Sequence, residues 1–196
     1  MKNIAVFASG NGSNFQAIID AVQAGTMTAS IKILVCDKPD AFAVERAKAA
    51  GIDYFEFRAK DFTDKQAYET EILAKLAEYQ IDLIVLAGYM RLIGSTLLSA
   101  FEGRIINIHP SLLPAFPGKD AMGQALRAKA KVSGVTVHYV DAGMDSGPII
   151  AQETVDIDEN ETIETLQEKI HKVEHQLYPA VIQMLVSKMR EEVKNG

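Results

Sequence analysis

The clearest structural signal in the chain lies near its amino terminus, where residues 4–14 read IAVFASGNGSN. The apolar run at 4–8 predicts a buried strand, and a glycine-rich turn follows it directly. Residues 15–24 then have helical periodicity and end before Gly25, a residue suited to a helix C-cap. A strand, a tight turn and a helix in this order predict the first βα unit of a parallel sheet.

The same alternation continues along the rest of the chain. We predict further strands over residues 31–36, 54–57, 83–87, 104–108, 134–140 and 148–155, and helices over 41–50, 64–79, 95–101, 122–129 and 161–192. Pro179 should kink or break the last helix. Residues 1–196 are therefore predicted to form one α/β domain, an open and mostly parallel twisted sheet with helices on both faces.

Composition and charge narrow the functional classes. The 196 residues carry 20 Lys and Arg against 26 Asp and Glu, a net charge of −6, which offers no basic surface for nucleic acid or an anionic membrane. Hydrophobic residues make up 48%, enough for a sizeable core, so intrinsic disorder is excluded. The first apolar run predicts a strand rather than a signal peptide. We expect a cytoplasmic protein, a monomer or a homodimer, with its single Cys36 buried in a strand.

The glycine turn has more than one interpretation. At the N-terminus of a helix, free backbone N–H groups can bind a phosphate without net positive charge. A dinucleotide-binding turn would need a third glycine where Phe15 stands, although Asp37 occupies the place of a ribose-binding acid. The alternative is a tight turn in which Ser13 or Asn14 caps the helix.

Three loops are expected to meet at one edge of the sheet. Asn107 and His109 end an apolar strand two residues apart, and therefore on the same face. A loop with three prolines follows at 110–118, and the glycine-hinged loop 141–147 supplies Asp145. Because ligands of open α/β sheets bind beyond the carboxyl ends of the strands, these loops and the glycine turn predict one pocket. The alternative is that Asn107 and His109 only satisfy loop backbone groups.

Four motifs resemble those of the folate-dependent formyltransferases. NIHPSLLP at 107–114 is similar to the family's signature, and Asp145 matches the aspartate of its Asp-x-Gly-x-Asp-x-Gly-Pro loop. GNGSN at 10–14 and AGYMR at 87–91 resemble the branch that formylates glycinamide ribonucleotide. The similarity runs from residue 4 to about 178. It implies the Rossmann-like formyltransferase fold, with phosphate-binding units in the N-terminal half, and folate-binding loops and a long helix in the C-terminal half.

The resemblance also implies a reaction. A formyl group would pass from 10-formyltetrahydrofolate, a co-substrate, to the primary amine of glycinamide ribonucleotide in purine (IMP) biosynthesis. Asn107 and the His109 imidazolium would donate hydrogen bonds to the oxyanion of a tetrahedral intermediate, while Asp145 orients His109 and favours its charged form. Neither a metal nor a covalent enzyme intermediate is implied.

Binding residues are implied in the same way. The nucleotide would contact Gly12, Ser13, Asn14 and Glu174, and the folate would contact Lys65, Met90, Arg91, Leu92, Ile93, Asn107 and Asp141. The alternative for the apolar members of the second set is core packing, and for Lys65 a solvated helix start. Residues 119–123 lack the histidines that some family members place there, so no substrate contact is assigned to them.

Other functional classes stay open at this point. HKVEH at 171–175 matches a zinc-hydrolase pattern in which His171 and His175 share a metal, but no third protein ligand follows in an acidic motif. A nucleotide-binding oxidoreductase could use the glycine turn and Asp37, but would leave Asn107 and His109 unexplained. A module that binds both ligands without turnover is the non-enzymatic alternative.

Overall fold

One sheet organises the structure, a computed structural model that describes residues 1–195. Its seven strands over those residues are β1 (Lys2–Ala8), β2 (Ala29–Cys36), β3 (Asp53–Glu56), β4 (Leu83–Leu86), β5 (Ile105–His109), β6 (Val132–Tyr139) and β7 (Ile149–Asp156). They lie in the order β3-β2-β1-β4-β5-β6-β7. The first five in this order are parallel, and β6 and β7 are antiparallel to their neighbours. The predicted open, mostly parallel sheet is confirmed; Gly196, the last residue of the predicted domain, lies outside the described residues.

Helices connect the strands and cover both faces of the sheet. They are α1 (Ser13–Gln23), α2 (Phe42–Ala50), α3 (Lys65–Glu78), α4 (Ser95–Ala100), α5 (Ala121–Arg127) and α6 (Ile163–Asn195), with a short 3-10 helix at Ala59–Asp61. None of these helices, within residues 1–195, is long and apolar enough to cross a membrane. Gly51 ends α2 in the left-handed conformation with φ 66°, which is why that helix stops at the predicted place.

The core consists of two apolar clusters, one on each face of the sheet. Successive strand residues point to opposite faces. Val6 therefore packs with apolar residues of α1, α2 and α6, whereas its neighbour Phe7 packs with residues of α3 and α4. Cys36 is fully buried in β2, as predicted. Continuous burial of the central strands explains their uninterrupted apolar sequences.

Pro179 lies inside α6, which continues from Ile163 to Asn195, so of the predicted kink or break the break does not occur. A proline has no N–H to donate to the carbonyl of His175, and this loss normally interrupts a helix. Here Tyr178, Val181 and Ile182 beside it are buried in the core. Packing of this apolar face stabilises the helix across the missing hydrogen bond, because tertiary contacts contribute most of a helix's stability in a protein.

The two ends of the described chain lie at the amino edge of the sheet. Lys2, the first residue of β1, is paired with Ala29 at the start of β2. Arg190, in the last turns of α6, donates a hydrogen bond to the carbonyl of Thr28, just before β2. The predicted ligand loops follow the carboxyl ends of the parallel strands, and therefore lie at the opposite edge.

Candidate active site

The candidate site begins where the strand order reverses. From β1 the chain adds β2 and β3 on one side, and then β4 and β5 on the other, so the loops after β1 and β4 diverge and leave a crevice. Two hydrogen bonds join these loops at the base of the crevice: Ser9 N donates to Gly88 O (3.0 Å), and Met90 N donates to Ser9 Oγ (2.8 Å). The crevice is thus the ligand site that this topology favours.

The glycine turn leads into a helix N-terminus that no side chain caps. Gly12 is the N-cap of α1, with φ 78°, and the alternative in which Ser13 or Asn14 caps the helix is not observed. A Cβ on Gly12 would lie 2.9 Å from Ala43 Cβ, so glycine is needed for the turn to pack against α2. With no side chain in the capping position, the first N–H groups of α1 can bind an anion.

Glu174 reaches the glycine turn from α6. Its side chain is buried, and its Oε2 accepts a hydrogen bond from Asn14 Nδ2 at 3.0 Å. Burial raises the pKa of Glu174 to about 7, although the hydrogen bond from Asn14 opposes the rise. Asn14 Oδ1 is buried without a hydrogen-bond partner in the described part of the chain. This acceptor can therefore bind an N–H or O–H group of a ligand.

Asn107 lies against a histidine that the sequence analysis did not assign to the site. In the β5–β6 pair Asn107 is opposite His138, and Asn107 Nδ2 is 3.4 Å from His138 Nε2. His138 Nδ1 is 2.8 Å from the Tyr139 carbonyl, which can only accept, so Nδ1 carries a proton, and Nε2 is the ring atom that can accept from Asn107. An amide nitrogen has two N–H groups, and Asn107 can donate the second to a ligand oxygen.

His109 has a contact at each ring nitrogen. Nε2 is 2.9 Å from the carbonyl oxygen of Phe116, and since a carbonyl can only accept, Nε2 carries a proton. Nδ1 is 3.5 Å from Asp145 Oδ2. The Asp145 carboxylate therefore lies beside the second ring nitrogen of His109. The two residues predicted to act together are brought together by the fold.

Loop 141–147 positions Asp145 by hydrogen bonds of its own. Asp141 Oδ1 accepts from Gly143 N (2.9 Å) and from Ser146 Oγ (2.8 Å), and these bonds lower the pKa of Asp141. Asp145 has φ 53°, and its Oδ2 accepts from Gly118 N at 2.9 Å in the proline loop. Asp141, predicted to meet folate, thus also shapes the loop that carries Asp145.

The proline loop is fastened to β6. Thr136 Oγ1 donates to Ser111 O (2.7 Å) and accepts from Leu113 N (3.0 Å). Ser111 Oγ donates in turn to Ala115 O at 2.6 Å. The loop contains a cis Leu113–Pro114 peptide bond and places Phe116 at φ 50°. These contacts hold the Phe116 carbonyl against His109.

The predicted folate segment, residues 90–93, divides between surface and core. Met90 and Leu92 are 70% and 51% exposed, whereas Ile93 is only 6% exposed and packs in the core on the α3 and α4 face. Lys65, the first residue of α3, donates from Nζ to the carbonyl of Leu92 at 2.9 Å. The segment thus presents two exposed apolar side chains beside a cation, and Ile93 packs beneath them.

Asp37 is bound to other residues of the chain rather than left free for a ribose. It is buried, and its two oxygens accept from Ser9 Oγ (2.5 Å) and from Arg91 Nε (2.8 Å). Both carboxylate oxygens are therefore engaged in fixing the loops after β1 and β4. The oxidoreductase alternative loses the residue on which it depended.

Sequence reasoning missed Arg46, which lies on α2 and holds the glycine turn. Its Nε donates to Asn11 O (2.8 Å), its Nη2 to Asn11 Oδ1 (2.7 Å) and its Nη1 to Gln16 Oε1 (3.2 Å). Arg46 also lines a cavity of about 380 Å³ together with Ser13 and His175. Nothing in the sequence signals these contacts, because Asn11 lies 35 positions away. His138 could have been found from its alternation along β6.

The side chains of the zinc-hydrolase pattern at 171–175 are directed to different partners in the structure. The rings of His171 and His175 are stacked, with centroids 5.9 Å apart. The carboxyl group of Glu174 is directed to Asn14. Within residues 1–195 there is no group of three or more His, Cys, Asp or Glu side chains that could hold a metal ion.

Comparison with known proteins gives matches over nearly the whole chain. A family model described as Formyl transferase matches residues 2–182. The chain is 58% identical over 186 residues to the phosphoribosylglycinamide formyltransferase of Bacillus subtilis (strain 168), covering 95% of each protein. It is 36% identical to the human trifunctional purine biosynthetic protein adenosine-3, covering 98% of this chain and 19% of that protein. Among solved structures, glycinamide ribonucleotide transformylase 1 from Geobacillus kaustophilus superposes with a TM-score of 0.93 at 61% identity, covering 94% of this chain and 98% of the other.

Proposed function

The chain belongs to the formyl transferase family, and on that premise we propose that it transfers a formyl group from 10-formyltetrahydrofolate to the primary amine of glycinamide ribonucleotide in purine biosynthesis. The observation that carries the proposal is the meeting of Asn107, His109 and Asp145. The uncapped N-terminus of α1 supports it, since it offers a phosphate site at the carboxyl end of β1. The names of the relatives support the choice of acceptor.

The proposed reaction passes through a tetrahedral intermediate whose oxygen becomes negatively charged. Asn107 can donate its second amide N–H to that oxygen while the first stays with His138. His109 can donate from Nε2 once this N–H leaves the Phe116 carbonyl for the substrate oxygen. Asn107 needs little reorganisation when the charge develops, whereas His109 must exchange the Phe116 carbonyl for the substrate oxygen.

Asp145 acts in this proposal through His109. Its carboxylate lies beside Nδ1 and favours the protonated ring, which is a better donor to an oxyanion than the neutral ring. The attacking amine must also lose a proton. We propose that it leaves through a water relay to Asp145, or to His109 after the imidazolium has given a proton to the oxyanion.

We assign the nucleotide to the glycine turn and to α6, the helix that carries Glu174. Its phosphate would bind the N–H groups at Gly12, Ser13 and Asn14, and its ribose or amine end would meet Glu174. The buried and unpartnered Asn14 Oδ1 supports this placement, since a donor of the substrate can satisfy it.

The folate is assigned to the surface between residues 90–93 and the loop 141–147. Exposed Met90, Leu92 and Met144 offer apolar area for an aromatic ring system, and the polar Asn107 and Asp141 can orient it. Lys65 and Arg91 supply positive charge beside this segment. The residues present therefore fit a flat heterocycle that carries an anionic tail.

The test is the absorbance change when a 10-formylfolate is deformylated, measured with and without glycinamide ribonucleotide and in parallel with a metal chelator. We expect turnover that requires the nucleotide and is unaffected by chelation. Cleavage of the folate without the nucleotide would assign a hydrolase instead. No turnover in either case would leave a binding module or a different enzyme.

We extend the proposal to the cellular setting. A step of nucleotide synthesis would place this chain in the cytoplasm, acting on small molecules rather than on nucleic acid or a membrane. We propose that residues 1–196 act as one domain, as a monomer or a homodimer. Sedimentation at catalytic concentrations distinguishes the two.

A further inference from the structure

A buried carboxylate lies where the proposed folate segment, residues 90–93, ends. Glu69 belongs to α3, is only 2% exposed, and is not among the residues assigned to either ligand. Its Oε2 accepts a hydrogen bond from Gly94 N at 2.8 Å, while its Oε1 is buried without a hydrogen-bond partner in the described part of the chain. Burial of a carboxylate for one such bond is costly, so packing alone does not explain a glutamate at this position.

Gly94 leaves the space that the carboxylate needs. Its backbone angles, φ −89° and ψ 176°, are extended and suit any residue, so no backbone strain calls for glycine there. A Cβ at this position would lie 2.6 Å from Glu69 Oε1 and 2.8 Å from Lys65 Cδ. The missing side chain therefore lets the backbone approach α3 closely enough for Gly94 N to bond to Glu69.

Glu69 is one of two α3 side chains that hold this part of the chain. Lys65 lies four residues earlier, one helical turn away on the same face, and its Nζ donates to Leu92 O at 2.9 Å. The two bonds fix the backbone at Leu92 and at Gly94, two residues apart. Leu92 is 51% exposed, so α3 holds the backbone that presents this apolar side chain to a ligand.

We propose that Glu69 is a positioning residue for the folate co-substrate, and that it holds the backbone at Gly94 so that Met90 and Leu92 face the heterocycle. The inference rests on the proposed function, because it assumes a folate donor. Glu69 is buried and acts through the segment rather than on a reacting atom. A surface that is ordered before the ligand arrives loses less conformational entropy on binding. The glycine turn is held by Arg46 instead, so nucleotide binding should not respond.

The test compares KM for the two substrates in the unmodified protein, Glu69→Ala and Glu69→Gln. Glu69→Ala removes the acceptor of Gly94 N, so KM for the 10-formylfolate should rise roughly fivefold, as for one lost hydrogen bond, with KM for the nucleotide unchanged. Glu69→Gln keeps an oxygen that can accept from Gly94 N, and should restore most of the folate KM. A general loosening of the fold would instead shift both KM values.

Gly94→Ala tests the same bond with Glu69 left in place, and it decides the question if Glu69→Ala does not fold. Its Cβ would displace the carboxylate, so the folate KM alone should rise. Glu78→Ala is the matched control, because it removes an exposed carboxylate at the end of α3 and should change neither KM.

Three results would overturn the inference: a folate KM that is unchanged in Glu69→Ala or in Gly94→Ala, an equal rise of both KM values, or the same folate KM in Glu69→Ala and Glu69→Gln. Turnover of the unmodified protein with both substrates tests the proposed function separately. A failure of the proposed function is therefore seen before any variant is compared.

Discussion

His109 is the residue at which the geometry constrains the chemistry most. Both of its ring nitrogens have contacts within the protein, Nε2 with the Phe116 carbonyl and Nδ1 with Asp145. A substrate oxygen can receive the Nε2 proton only by replacing the Phe116 carbonyl. The proposed donor is therefore held in place beforehand, and its activity depends on a substrate that competes for it.

Substitution of Asp145 or His109 should affect turnover more than binding. Asp145→Asn keeps an oxygen to accept from Gly118 N but removes the charge beside His109. We expect Asp145→Asn and His109→Ala each to lower kcat by about a hundredfold or more, with nucleotide affinity largely kept. Steady-state kinetics and calorimetric titration of the nucleotide measure the two effects. Near-normal kcat in either variant would contradict the assigned roles.

Glu174 should make stability depend on pH. Its pKa is near 4.5 when exposed and is raised to about 7 in the fold, so the folded state favours the protonated form. This contribution is fully present below pH 4.5 and is lost as the pH rises through about 7. As the pH rises from 4.5 to above 7, the free energy of unfolding of Glu174→Gln should therefore rise by roughly 3 kcal/mol relative to that of the unmodified protein.

Urea unfolding of both proteins at several pH values tests this expectation. The glutamine variant keeps the size of the side chain and an oxygen that can accept from Asn14. The two proteins therefore differ in the titrating carboxyl group and not in packing. Parallel pH profiles of unfolding free energy for the two proteins would contradict the raised pKa of Glu174.

At the scale of an element, the glycine turn before α1 combines two constraints. Gly12 has φ 78°, and a Cβ there would also meet Ala43 of α2. Gly25, at the other end of the same helix, has φ 77° but nothing within 4 Å of its Cβ position. A comparison of substitutions at the two glycines can therefore separate the free-energy cost of the left-handed backbone from the cost of a steric clash.

We expect Gly25→Ala to cost about 1 kcal/mol of stability, the ordinary cost of a left-handed alanine. Gly12→Ala should cost more, because Ala43 must move, and should also raise KM for the nucleotide. Urea unfolding and steady-state kinetics of the two variants test this. Equal losses of stability with unchanged KM at both positions would remove the turn from the proposed phosphate site.

Elements were more predictable from the sequence than the contacts between them. The strands follow from apolar runs that the sheet buries, and the end of α2 follows from Gly51, because these signals are local. The sequence left open whether Pro179 kinks or breaks α6, because packing on the sheet decides that the helix continues. The roles of Arg46 and of the Phe116 carbonyl could not be predicted, because each depends on a loop conformation that only the folded chain fixes.

For the candidate site, the sequence placed the polar residues of interest at one edge of the sheet. Asn107 and His109 were placed on one face by strand alternation, and their proximity to His138 and Asp145 comes from β6 pairing and from loop 141–147. The burial of Ile93 was left open by the sequence, because an apolar residue after a strand can equally face a ligand or the core. The assigned binding roles stay predictions.

At the scale of the whole molecule, Tyr178 joins the longest helix to the centre of the sheet. The side chain is fully buried in α6, and its hydroxyl donates to Leu86 O at 2.6 Å, with Ile106 O at 3.3 Å. These carbonyls belong to β4 and β5, the strands that precede the folate segment and the proline loop. One hydroxyl group therefore links the helix that carries Glu174 to the strands that carry the other site residues.

Tyr178→Phe should lower the free energy of unfolding by about 1–3 kcal/mol, because it leaves a buried carbonyl without its donor. Tyr79→Phe is the matched control. Its hydroxyl donates to Asp53 at an exposed position, where water can replace it, so its loss should cost below about 1 kcal/mol. Urea unfolding measures both. Similar losses of unfolding free energy in the two variants would show that the buried hydrogen bond of Tyr178 contributes no more than the exposed one of Tyr79.

The placement of Lys2 and Arg190 at the amino edge of the sheet has a consequence for engineering. The crevice opens at the opposite edge, so polypeptide added before Lys2 or beyond α6 leaves from the back of the molecule. An affinity tag, a fluorescent reporter or a second catalytic module can be attached at either side without obstructing substrate entry. Immobilised on a support through either end, the molecule would present its open crevice to the solution.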